Sequence, residues 1–137
     1  MTVIHPVQAV SAENPHYRLL GGESGVHQLV ERFYTLMDEL PEAASIRAMH
    51  PEHLGPAKQK LFEFLSGWLG GPPLYVERHG HPRLRQKHLS FPIDAAARDA
   101  WMRCMSQALD EQVSDPALRA ELRASFFKTA DFLRNQA

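Results

Sequence analysis

The chain has 137 residues, 44% of them hydrophobic and 23% charged, with a formal net charge of -1. This is the length of one domain with a real core and the composition of a water-soluble globular protein. Lys and Arg are dispersed, which argues against a nucleic-acid footprint, no stretch approaches a membrane span, and the single Cys104 excludes an intrachain disulfide.

Residues 1–14 contain no basic start followed by an apolar run, so they read as a loose extension rather than a secretory signal. The folded domain is expected over 15–137, in the cytoplasm, where a lone thiol suits a reducing compartment. Val26, Leu29, Val30, Phe33 and Met37 recur at three- and four-residue intervals, which predicts a helix over 24–39. Pro41 opens a short helical turn toward Ala48. Gly55-Pro56 starts another helix, with Ala57, Leu61, Phe64, Leu65 and Trp68 on one stripe, and Gly70-Gly71 stops it. Pro82 suits the first position of a short helix ending near His88, before a turn over 89–92. Asp94 is a good N-cap for a helix bearing Trp101, Met105, Ala108 and Leu109. Asp115-Pro116 opens the last helix, with Leu118, Leu122, Phe126, Ala130 and Leu133 on its stripe. No strand alternation is present, so the fold class is all-α. The stripes alone serve a four-helix bundle as well as any other helical packing.

His88 carries the most chemistry. At a helix C-terminus its Nδ1–H can reach the carbonyl of Leu84, four residues back, which fixes the tautomer and leaves Nε2 for a metal. One such histidine does not hold a naked ion, but it supplies an axial bond to an iron already held by a porphyrin. Taken alone, a histidine here reads more simply as a cap near the helix dipole. Zinc is the other reading that eight histidines invite. His79-x-His81 and His50-x-x-His53 lack the His-Glu-x-x-His spacing, and no cysteine supports them. There is no phosphate-binding glycine loop and no nucleophile elbow.

Several segments taken together resemble one family. Tyr75-Val76-Glu77-Arg78-His79-Gly80-His81-Pro82, then Leu84-Arg85-x-x-His88 and Asp99-Ala100-Trp101, are similar to the signature of the group II truncated haemoglobins. So are Arg32-Phe33-Tyr34, Gly21-Gly22 and Gly70-Gly71-Pro72, and the likeness runs from about Tyr17 to about Leu133. The glycine pairs are weak signals; the histidine segment followed by the tryptophan is specific. The resemblance implies a two-over-two helical sandwich around haem b (iron protoporphyrin IX), with His88 as the proximal iron ligand and O2 or other diatomic gases as ligands.

It also implies roles that pattern alone leaves open. Tyr34 by position is a core tyrosine; in the family the tyrosine after Arg-Phe projects above the iron. Trp101 by pattern anchors a core stripe; in the family its indole N–H, a donor only, points at the bound ligand. His50 flanks the Pro51 turn and reads as a surface residue, whereas the family places an aromatic or histidine there on the distal side. Ala57 stands where many globins put a distal histidine or glutamine and can donate nothing, and Leu61 would be an apolar wall of the same cavity. Lys60 and Arg85 match positions that meet the haem propionates, although exposed cations serve as well in water. Phe62, Phe64, Leu65, Tyr75, Phe91, Ile93 and Met105 are expected to pack on the porphyrin or simply to form core.

A donor-rich pocket holds O2 too tightly for simple delivery. The primary role implied is binding of O2 and other diatomic ligands, and such a pocket leans toward redox chemistry as well, either nitric oxide dioxygenation to nitrate or a peroxidase-like reaction. An O2 sensor, store or carrier without turnover is the alternative, and a haem-free helical interaction module is the third. Turnover would need a separate reductase, since the chain has no flavin or nicotinamide motif. Nucleic acid and membrane are not expected partners; monomer and homodimer both stay open.

Overall fold

The computed structural model describes residues 14–137, so the extension over 1–14 lies outside the described residues apart from Asn14. Among the described residues there is no strand. Helices α1 (His16–Leu19) and α2 (Gly22–Glu39) are followed by a 3₁₀ turn (Pro41–Ala43) that runs into α3 (Ala44–Ala48). Then come α4 (Gly55–Trp68), α5 (Leu74–His79), α6 (Leu84–His88), α7 (Ala95–Gln112) and α8 (Pro116–Phe132). The chain forms two compact units. One comprises the chain up to Val30 with Gly55–Pro82, the other Glu31–Leu54 with Arg83–Ala137.

In the first unit α4 packs with α5. The buried face of α4 is Phe62, Glu63, Leu65 and Ser66, with Leu69 just beyond it. The stripe expected from sequence is displaced: Ala57, Leu61, Phe64 and Trp68 lie beside that face and are only half-buried. Periodicity finds an apolar arc but not which edge is packed, and here two polar residues go inside because partners meet them. Ser66 donates to the Pro72 carbonyl at 2.7 Å, and Glu63 receives three donors. The end of α4 explains its glycines. Gly70 has φ 99°, and a Cβ there would strike the Asn14 carbonyl; at Gly71 the Tyr17 ring occupies the space a Cβ would need. Asn14 Nδ2 donates to the Trp68 carbonyl at 3.1 Å and the Tyr17 amide to that of Leu69 at 2.9 Å. These bonds satisfy carbonyls that a helix end leaves unpaired. Helices α1 and α5, at four and six residues, are too short to show a periodic stripe.

In the second unit α7 packs with α8, and α3 and the 3₁₀ turn pack on α7. Its core includes Phe33, Met37, Met105, Ala108, Leu109, Leu122 and Phe126, all expected stripe residues of α2, α7 and α8, together with Leu36. The two predicted caps are formed: Asp94 Oδ1 accepts from the Ala97 amide at 2.8 Å and Asp115 Oδ1 from that of Ala117 at 3.1 Å, with Pro116 opening α8. Two boundaries differ from expectation. Helix α2 begins at Gly22 rather than at Ser24. Helix α6 begins at Leu84, not Pro82, because Arg83 adopts a left-handed conformation (φ 48°, ψ 51°) that interrupts the helical run.

Candidate functional site

His88 ends α6, and its Nδ1 lies 2.6 Å from the Leu84 carbonyl. A carbonyl only accepts, so Nδ1 carries a proton, and in the neutral ring Nε2 then presents a lone pair. The ring is half-buried, and the residues that follow are apolar yet open: Leu89 is 58% exposed and Phe91 39%. Ile93 is half-buried. An imidazole with one nitrogen fixed and the other bare, beside uncovered apolar side chains, fits a flat apolar metal chelate better than a water-facing cap. The donor set is therefore compatible with haem.

Tyr34, His50 and Trp101 also lie in the second unit: Tyr34 and Trp101 both meet Phe33, and His50 meets Tyr34. The Phe33 ring, fully buried, is 5.0 Å from the Tyr34 ring and 4.9 Å from the Trp101 ring, and His50 meets Tyr34 edge-on at 5.8 Å. Trp101 is half-buried and rests its other side on Phe126 at 5.8 Å. Burial pushes the Tyr34 hydroxyl up to about 12, so it remains a neutral donor throughout the working range of pH. His50 repeats the geometry of His88: its Nδ1 is 2.9 Å from the Ile46 carbonyl, four residues back. In the neutral ring Nε2 is then an acceptor, suited to take a hydrogen bond rather than give one. Met105 is fully buried one turn after Trp101. Arg85 is exposed and turned toward the C-terminus, donating to the carbonyls of Phe132 at 2.6 Å and Arg134 at 3.1 Å.

The remaining predicted residues belong to the first unit. Ala57, Leu61 and Phe64 are half-buried on α4, Lys60 is exposed, and Phe62 and Leu65 are buried. Phe62 is stacked on His27 at 3.7 Å; Tyr75 is buried on α5, edge-on to Phe64 at 6.4 Å. Cys104 is fully buried and burial pushes its thiol up, as expected of an inert sulfhydryl.

Sequence reasoning missed two residues. Glu63, 4% exposed, accepts from Gln59 (2.8 Å) and Arg78 (2.6 Å) and pairs with His79 Nε2 (2.8 Å), which ties α5 to α4. Burial pushes its carboxyl up, but these bonds and the Arg78 charge overcome that and hold it at about 2. The one available signal was an acid between Phe62 and Phe64 in an apolar stretch. Asn135 had no signal, because its partners lie far back in the chain. Among the described residues no group of three or more His, Cys, Asp or Glu is placed to hold a metal ion, so zinc gains no support.

Comparison with known proteins identifies the family. Residues 16–135 match the family model for bacterial-like globins. The chain is 39% identical over 115 residues to the group 2 truncated hemoglobin YjbI of Bacillus subtilis (strain 168), covering 84% of this chain and 85% of that one. Among solved structures it is similar to a cold-adapted truncated hemoglobin from Pseudoalteromonas haloplanktis TAC125, with 47% identity and a TM-score of 0.87 over 90% of this chain and 99% of that one. It is also similar to a group II 2-on-2 hemoglobin from Agrobacterium tumefaciens, with 45% identity and a TM-score of 0.85 over 88% and 94%. Haem and diatomic-ligand binding come with that family, and no described helix is long and apolar enough to cross a membrane. The chain belongs to the bacterial-like globins, in their group II truncated, two-over-two branch.

Proposed function

We propose that the chain binds haem b through His88 and holds O2 beside the Tyr34 and Trp101 donors, for reaction rather than for carriage. The observation that carries this reading is the linked set of Trp101 and Tyr34 on the buried Phe33, with His50 edge-on to Tyr34. Non-covalent haem b is preferred because the lone, buried Cys104 offers no thioether attachment. The haem supplies the iron at which a diatomic gas binds and is reduced or oxidised.

The protein's share follows from its own residues. The Leu84 carbonyl holds the Nδ1 proton of His88, which keeps Nε2 basic and oriented. The Trp101 indole donates only, and the Tyr34 hydroxyl stays protonated, so both favour a ligand that carries negative charge. His50, with Nδ1 committed to Ile46, would accept from the Tyr34 hydroxyl and orient it rather than address the ligand directly. In the second unit the open Phe91 and the half-buried Ile93 would cover the porphyrin, with the buried Met105 behind them.

The reaction that fits is conversion of nitric oxide and O2 to nitrate, which consumes one electron per turnover. A separate reductase must supply it. Oxygenated protein mixed with nitric oxide and a reductase system should form nitrate over many turnovers. A single stoichiometric oxidation under every reductant would leave storage or sensing as the better account.

A further inference from the structure

The residues after α8 turn back onto the segment that follows His88. Asn135 uses both ends of its side chain there. Its Nδ2 donates to the carbonyl of His88 itself at 3.2 Å and to that of Phe91 at 3.0 Å, while Oδ1 accepts from the Ile93 amide at 2.9 Å. The backbone adds to this: the amides of Asn135 and Gln136 donate to the Ile93 carbonyl at 2.8 and 3.0 Å. Arg85, just before His88 on the same helix, holds the other end of the tail through the carbonyls of Phe132 and Arg134. Helix α6 has only five residues. A helix that short does not hold itself, and its last carbonyls have no partner within it. The Leu84 carbonyl fixes the His88 ring; the His88 carbonyl accepts from the Phe91 amide at 3.0 Å and from Asn135, a residue 47 positions later.

We propose that Asn135 is a positioning residue for His88: its side-chain amide fixes the backbone from His88 to Ile93, and so sets the plane and reach of the imidazole. The C-terminal tail thereby becomes part of the haem site without touching the haem. This inference rests on His88 being the iron ligand.

Two variants separate the contributions. Asn135→Asp keeps the shape and the Oδ1 acceptor but removes both donors, and Asn135→Ala removes everything; should the alanine variant not fold, the aspartate variant carries the test. Leu118→Ala, in the buried face of α8, serves as a control that lowers stability without touching the tail. The readouts are the iron–histidine stretching band of the haem-loaded ferrous protein and the rate of haem transfer to excess apomyoglobin. Both Asn135 variants should shift or broaden the band and speed haem loss roughly tenfold, equivalent to about 1.4 kcal/mol, within the range expected for two lost hydrogen bonds. Leu118→Ala should lower the unfolding midpoint and leave the band in place. A wild-type band that disappears in His88→Gly but is unmoved in both Asn135 variants, or moves equally in Leu118→Ala, overturns this proposal alone. A band that survives in His88→Gly overturns the ligation reading and this proposal with it.

Discussion

Replacing Glu63 by Gln keeps the size and one acceptor oxygen but removes the buried charge on which Gln59, Arg78 and His79 converge. The drop of its carboxyl from 4.5 to about 2 corresponds, at roughly 1.36 kcal/mol per pH unit, to about 3 kcal/mol favouring the folded state at neutral pH. Arg78 is 51% exposed and His79 33%, so solvent screens much of their share and about 1–2 kcal/mol is the expected loss. Because the folded carboxyl titrates below the unfolded one, this stability is complete above pH 4.5 and disappears as the pH falls toward 2. Urea unfolding followed by circular dichroism should therefore put Glu63→Gln below the wild type at pH 7, with the gap closing between about pH 4.5 and 2. Curves that stay parallel across that window, or a variant as stable as the wild type at pH 7, would show that the network does not hold α5 on α4.

Trp101→Phe should accelerate O2 release by roughly ten- to a hundred-fold, the kinetic equivalent of one charge-assisted hydrogen bond; stopped-flow release unchanged from wild type, with carbon monoxide as the less charged control, would remove the indole from the site. Because burial pushes the Tyr34 hydroxyl up to about 12, O2 release should be flat with pH from about 6 to 10.5 in both wild type and Tyr34→Phe; a step near pH 10 that only the wild type shows would mean the hydroxyl is not desolvated. Asp94→Ala, which removes the acceptor for the Ala97 amide, should cost about 0.5–2 kcal/mol in thermal unfolding, and an unchanged midpoint would deny the cap its role.

What was legible in the sequence follows the physics of each signal. The buried stripe Val26, Leu29, Val30, Phe33 and Met37 was readable because eighteen residues of α2 repeat the helical period several times. Asp94 and Asp115 were readable because a cap is a bond between near neighbours. The same holds for His88, whose partner Leu84 is four residues away. Helices α1 and α5 are shorter than two periods, and the start of α6 depends on Arg83 taking a left-handed conformation that proline spacing does not announce. The packed edge of α4 was misjudged because Ser66 and Glu63 go inward only when Pro72, Arg78 and His79 arrive from elsewhere. Asn135 belongs to the same class: its bonds join chain segments that no local pattern connects.

The central claim is that His88 provides the iron's protein ligand. His88→Gly, loaded with haem and measured by absorption with and without free imidazole, tests it most directly. The account predicts a changed ferrous spectrum and weak haem retention, both restored toward wild type when imidazole occupies the space of the missing ring. A variant whose spectrum and haem retention match wild type without imidazole would contradict it.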